Sequence, residues 1–155
     1  MLNFQDPRFV NDSSSMPLNS YIWDVNNPNK PDLTLTPASP LLCLRHNPKA
    51  HDQLIGGCYN GLVTVFDRRV SAPSKPVETS VIENSHHDPV YDAYWINSKT
   101  GNMAASCSTD GQMLWWDIRR LGEPTDRLQL KTSSRDDGVV LGGRSLEYVG
   151  VALLR

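Results

Sequence analysis

Two segments of the chain end alike, and a third shares part of the ending. Tyr21-Ile22-Trp23-Asp24 closes the first, Leu62-Val63-Thr64-Val65-Phe66-Asp67 the second and Met113-Leu114-Trp115-Trp116-Asp117 the third. The closing aspartates stand 43 and 50 residues apart, close to the ~40–45-residue period of four-stranded propeller blades, and a loop absorbs the longer step. A unit of this kind cannot bury its apolar faces alone, so the period constrains the chain to a stack of small sheets.

Local signals agree with that period. Prolines and glycines fall mostly between short apolar runs, which predicts many short strands and no long helix. Strands are expected over residues 20–25, 40–46, 53–58, 62–67, 77–82, 90–96, 103–108 and 112–118. Asn60-Gly61 and Asp110-Gly111 tolerate the backbone of a tight hairpin, so each joins two antiparallel strands. Trp115 and Trp116 must point to opposite faces of one strand, and both faces need cover, as when each sheet lies between two neighbours. Residues 26–31, 71–76 and 119–127 read as ordered loops between blades, and 133–143 as a mobile surface loop.

Composition excludes several jobs. Fifteen basic residues against seventeen acidic give a net charge of −2 without a run of either sign, so the footprint of a nucleic-acid binder is missing. No stretch approaches the ~20 apolar residues of a membrane helix, and no basic segment leads into an apolar run at the start. A soluble, non-secreted protein is therefore expected. Cys43, Cys58 and Cys107 are odd in number and sit in strand-like segments, which reads as reduced, buried thiols.

A histidine ahead of Asp88-Pro89-Val90, then Ser106-Cys107-Ser108-Thr109-Asp110-Gly111, then Trp116-Asp117, resembles the WD40 repeat in its usual order. Residues 19–124 resemble more narrowly an axonemal dynein intermediate chain of the outer-arm type. The resemblance is carried by Ser20-Tyr21-Ile22-Trp23-Asp24, Asn27-Pro28-Asn29-Lys30-Pro31, Gly56-Gly57-Cys58-Tyr59-Asn60-Gly61, His86-His87-Asp88-Pro89-Val90-Tyr91 and Trp115-Trp116-Asp117-Ile118-Arg119. The expected fold is all-β, a WD40 β-propeller with about three four-stranded blades of an incomplete ring. Residues 1–39 would carry the last strands of a partial first blade, 40–84 the second, 85–131 the third, and 132–155 a loop with the start of a further blade at Ser145-Leu146-Glu147-Tyr148. Members of that family are much longer, so the chain reads as a fragment or truncated form.

The resemblance also assigns roles. His86, Ser106 or Ser108, and Asp110 are the residue types of a hydrolase triad, but in a WD-type blade they form with Trp116 a structural relay from indole to hydroxyl to imidazole to carboxylate. Ser106 and Ser108 share a strand face by parity, which leaves the choice between them open. No Gly-x-Ser-x-Gly motif accompanies them. Trp23, Asp24, Phe66, Asp67 and Asp117 would close the blades, and Phe66 breaks the relay in the second because it has no N–H. Arg68-Arg69 and Arg119-Arg120 are expected to pair with Asp67 and Asp117. Cys43, His46, His51 and Cys58 fit no closed zinc ligand set, so no metal is expected. Tyr91, Tyr94, Trp95 and Trp115 are expected in the core rather than at an interface.

No catalytic residue and no cofactor is expected, and no Gly-x-x-x-x-Gly-Lys loop is present for a nucleotide. The resemblance implies a scaffold subunit of an axonemal outer-arm dynein complex, serving arm assembly and motility of a cilium or flagellum. Its implied partners are dynein heavy chains, a second intermediate chain and light chains. Microtubule association would be indirect, with no nucleic acid and no membrane. The implied location is cytoplasm, cytoskeleton and axoneme. The alternative is a WD40 adaptor of another intracellular complex.

Overall fold

Turn chemistry sets the strand boundaries. A computed structural model describes residues 18–132 and 138–147. Ten strands follow in order: β1 (Ser20–Ile22), β2 (Leu33–Leu35), β3 (Leu41–His46), β4 (Gln53–Cys58), β5 (Val63–Asp67), β6 (Glu78–Thr79), β7 (Val90–Trp95), β8 (Met103–Ser108), β9 (Gln112–Asp117) and β10 (Asp126–Gln129). No α-helix occurs among the described residues. The hairpins β4–β5 and β8–β9 turn at Gly61 (φ 86°) and Gly111 (φ 78°), while Asn60 and Asp110 keep negative φ. Glycine alone supplies the left-handed backbone there.

The strands form a two-stranded sheet β1–β2 and two four-stranded antiparallel sheets, β3-β4-β5-β6 and β7-β8-β9-β10. The fold is an incomplete WD40 propeller that does not close on itself. Both four-stranded sheets carry a register shift at the same place in their first strand, between Leu41 and Cys43 and between Val90 and Asp92. One register therefore maps the second sheet on the third: Phe66 on Trp116, Gly56 on Ser106, Asn60 on Asp110.

Strand parity divides the apolar residues between two layers. Leu54 and Phe66 face the first sheet and pack with Leu35, Ile22 and Leu33. Ile55, Val63 and Val65 point the other way, into a layer with Val90, Ala93, Trp95, Ala104, Leu114 and Trp116 of the third sheet. Contact there is close. A Cβ built on Gly57 would lie 2.6 Å from Val90 Cγ1. The opposite face of the third sheet is covered less. Trp116 is buried and Trp115 half-buried.

Several expectations are corrected. The strand at 20–25 stops at Ile22, leaving Trp23 53% exposed. The strand at 77–82 shrinks to Glu78–Thr79 and passes into a 3-10 turn, Ile82–Asn84. Part of the loop at 119–127 is strand, because β10 begins at Asp126 and pairs with β9. The described part of the loop at 133–143 is tied down: Leu141 N donates to Leu130 O (2.9 Å) and Gly143 N to Ser108 O (2.8 Å). Ser145 to Glu147 form no strand, and the expectation for Tyr148 lies outside the described residues. Of the four aromatics expected in the core, Trp95 is buried, whereas Tyr91, Tyr94 and Trp115 are half-buried on sheet faces.

Candidate functional site

The polar centre of the third sheet is built from a loop, a strand, a turn and a second strand. His86 comes from the loop before β7, Ser106 from the middle of β8, Asp110 from the β8–β9 turn and Trp116 from β9. Trp116 Nε1 lies 2.8 Å from Ser106 Oγ, and Ser106 Oγ lies 2.7 Å from His86 Nε2. His86 Nδ1 lies 3.2 Å from Asp110 Oδ2. Indole N–H can only donate. The serine oxygen therefore accepts from Trp116 and donates its proton to His86 Nε2, and the imidazole donates from Nδ1 to the Asp110 carboxylate.

Burial holds His86 below the ordinary histidine value of 6.5, and the neighbouring Asp110 carboxylate pulls the other way without reversing the shift. The ring is neutral at pH 7, consistent with one donor and one acceptor nitrogen. Asp110 also accepts from the backbone N–H groups of His87 (3.0 Å) and Gln112 (2.9 Å), so one carboxylate locks the loop to the turn. Ser108 stands apart. Among the described residues its Oγ accepts one long bond, 3.4 Å, from Asp110 N.

Serine, imidazole and carboxylate in this order match a hydrolase triad in connectivity but not in access. Ser106 is 0% exposed, and an indole N–H occupies its oxygen. A nucleophile needs access to a substrate, and this serine, sealed inside the sheet, has none.

The second sheet carries none of the relay. Phe66 takes the place of Trp116, Gly56 that of Ser106 and Asn60 that of Asp110. Phe66 is fully buried against Leu35 and Leu54, so packing fills the space. The substitution at Gly56 escaped the sequence reading, although it stands five residues before Gly61 just as Ser106 stands five before Gly111. The same loop also joins the two sheets: a Cβ on Gly61 would lie 2.2 Å from His86 O.

Asp67 and Asp117, expected to close blades, instead close the third strands β5 and β9, since β6 and β10 follow in the same sheets, and with Asp24 they share one turn. Asp67 accepts from Arg69 N, Nε and Nη2, and Asp117 from the same atoms of Arg119, at 2.6–3.1 Å. Asp24 Oδ1 accepts from Asn26 N at 2.9 Å. The Arg69 hydrogen bonds lower Asp67 to about 2, and Arg119 lowers Asp117 in the same way. Both arginines are largely exposed, so solvent screens each pair and it adds little to stability. Arg68 departs from expectation and reaches Asp32 beside the first sheet at 2.6 Å.

A second polar knot was not foreseen. Asp92 on β7, 4% exposed, accepts Nε and Nη2 of Arg45 at 3.0–3.1 Å, Ser145 Oγ at 3.4 Å and Leu146 N at 2.9 Å. It fastens β3 of the second sheet and the segment after β10 to the third sheet. The signal was a lone carboxylate inside an otherwise apolar strand.

The three cysteines are free thiols. Burial pushes Cys43 up to about 12 and Cys58 and Cys107 to about 11, so all stay protonated and unreactive at neutral pH. Cys43 Sγ faces Val90 O, His46 Nδ1 bonds His51 O, and Cys58 Sγ lies against Thr64 Oγ1. Among the described residues no three His, Cys, Asp or Glu side chains converge to hold a metal.

The sequence matches no protein-family model. It is 51% identical over 145 residues to dynein intermediate chain 3, ciliary, of Heliocidaris crassispina, covering 90% of this chain and 23% of that protein. It is 49% identical over 134 residues to human dynein axonemal intermediate chain 2, covering 86% of this chain and 22% of that protein. It is 43% identical over 141 residues to the 70 kDa intermediate chain of the flagellar outer arm dynein of Chlamydomonas reinhardtii, covering 91% and 24%. The chain spans about a quarter of the length of these relatives. Over most of its own length it is a homologue of the axonemal dynein intermediate chains, an outer-arm chain among them.

Proposed function

We propose that the chain is a non-catalytic WD-repeat scaffold segment of an axonemal outer-arm dynein complex, acting in arm assembly and in motility of the cilium or flagellum. The observation that carries the non-catalytic reading is the serine: fully buried, its hydroxyl held between Trp116 Nε1 and His86 Nε2. His86, Ser106, Asp110 and Trp116 then serve as a structural relay that satisfies polar groups inside one blade. Phe66-Asp67 and Trp116-Asp117 close the third strands, β5 and β9, of successive blades, each sheet going on to a fourth strand, and Trp23-Asp24 is their counterpart after β1. On this reading residues 1–39 belong to a partial first blade, 40–84 to the second, 85–131 to the third and 132–155 to the approach to a further one.

A rigid stack of blades offers several loop-bordered surfaces at once, which suits a subunit that holds others together. The names of the relatives place those proteins in axonemal, ciliary and flagellar dynein. The partners of this chain would be dynein heavy chains, a second intermediate chain and light chains, with microtubules reached indirectly. Motor chemistry would belong to the heavy chains.

Affinity purification of the tagged chain from ciliated cells tests the assignment, with mass spectrometry of what co-purifies. Dynein heavy chains are expected. Recovery of a different assembly without dynein subunits would move the chain to a WD40 adaptor elsewhere. A fluorophosphonate serine probe should leave the folded protein unlabelled, and labelling at Ser106 would overturn the non-catalytic reading.

A further inference from the structure

Each end of the stack exposes half of an interface that the chain already makes inside. The second sheet turns Ile55, Val63 and Val65 to the third, where Leu114 and Trp116 meet them. By the shared register, Met113 and Trp115 stand in the third sheet where Val63 and Val65 stand in the second, and Leu128 lies beside Met113 on the same face. Val63 and Val65 are buried, whereas Met113 and Trp115 are half-buried and Leu128 is 48% exposed. At the other end Ile22 faces the second sheet, and parity turns Tyr21 the opposite way. Trp23 joins it there, the rings 6.4 Å apart, although its counterparts Phe66 and Trp116 are fully buried.

The backbone is incomplete at the same two ends. The segment after β10 stands to the third sheet as the approach to β7 stands to the second. Leu141 O lies over the Gly111 turn as His86 O lies over the Gly61 turn, 3.1 and 2.2 Å from an added Cβ. Leu146 N bonds Asp92, whose place in the second sheet belongs to Cys43, and Cys43 Sγ faces Val90 O. Leu141 and Ser145 thus stand 55 residues after His86 and Val90. Among the described residues, the third sheet is followed by the start of a first strand without the last two strands of a sheet. The first sheet, β1–β2, is those last two strands without the first two.

We propose that two copies of this chain stack head to tail, β1–β2 of one lying on the face of the other's third sheet that is turned away from the second, beside residues 141–147. Trp23 then packs on Met113 and Trp115 as Trp116 packs on Val63 and Val65. A contact between unlike faces propagates unless its rotation closes a ring. Each copy brings its second and third sheets and half of two shared ones, six sheets in all, which falls within the ~4–8 blades of a closed propeller. The inference rests on the repeat and not on the dynein assignment.

Sedimentation velocity on the 155-residue chain at rising concentration tests it. A reversible dimer of twice 17.3 kDa is expected, with no larger species. Trp23→Asp spoils one face and Leu128→Asp the other; both side chains are about half exposed, and circular dichroism checks that the variants fold. Tyr21→Asp takes the place of Trp23→Asp if that variant does not. Each variant alone should weaken dimerisation by about tenfold or more. Mixing the two restores one intact contact, because each chain keeps the face that the other lacks. Native mass spectrometry should then show the mixed pair in preference to either homodimer. A monomer at every concentration, a ladder of species beyond the dimer, or a contact between like faces, for which mixing restores nothing, would each overturn the proposal.

Discussion

Replacing Ser106 by alanine should cost far more than one hydroxyl is worth. The hydroxyl sits between Trp116 Nε1 at 2.8 Å and His86 Nε2 at 2.7 Å, and all three groups are buried. Alanine orphans one donor and one acceptor with no route to water. Each unsatisfied buried group costs about 1–3 kcal/mol, so Ser106→Ala should destabilise the chain by about 2–6 kcal/mol. Domains of this kind have about 5–15 kcal/mol in total. Ser108→Ala is the matched control, equally buried, but holding among the described residues the one long bond of 3.4 Å from Asp110 N; its loss should cost about 1 kcal/mol or less. Urea unfolding followed by tryptophan fluorescence supplies the midpoints. In a Trp116→Phe background the indole N–H is already gone, so Ser106→Ala should cost about 1–2 kcal/mol less than in the parent. Equal costs for the two serines, or strict additivity of Ser106→Ala with Trp116→Phe, would refute the relay as the source of stability.

Stability should fall as pH drops below about 6.5. His86 is held neutral by burial, so the unfolded chain takes up that proton first, and the loss runs at about 1.4 kcal/mol per pH unit at most until the folded ring itself protonates. His86→Gln should remove this step from a urea titration against pH while leaving a second one. Asp67, lowered to about 2, contributes above the usual carboxylate value of 3.8 and loses that contribution as pH falls from there towards 2; exposure of Arg69 keeps the step small. Gly61→Ala should destabilise by about 2 kcal/mol or more, combining a left-handed backbone at φ 86° with a Cβ 2.2 Å from His86 O. A cost below about 0.5 kcal/mol would show that the loop gives way. Asp92→Asn should lose about 1–2 kcal/mol, discounted because Arg45 can reach water, and should speed tryptic cleavage after Arg144 by loosening Ser145 and Leu146.

What could be read from residues alone follows from how local each signal is. The hairpins at Gly61 and Gly111 are written in adjacent residues, and β4 and β8 fall where the turn and the apolar run require. β10 carries no such mark. All four of its residues are exposed, so its pairing with β9 is a matter of edge hydrogen bonds and leaves no alternation in Asp126-Arg127-Leu128-Gln129. β2 is three residues after a proline loop, too short for a period. Parity puts Ser106 and Ser108 on one face and cannot choose between them; cross-strand register does, placing Ser106 within reach of the Trp116 indole. Asp92 gathers partners 47 to 54 residues away on both sides, information that only the packed sheets contain.

Fractionation of demembranated cilia tests most directly the proposal that this chain is a scaffold piece of axonemal dynein. An antibody to residues 18–132 should detect the chain in the axonemal extract, sedimenting with the dynein heavy chains on a sucrose gradient. A chain confined to the cytosol, or one sedimenting in an assembly free of dynein heavy chains, would contradict the assignment.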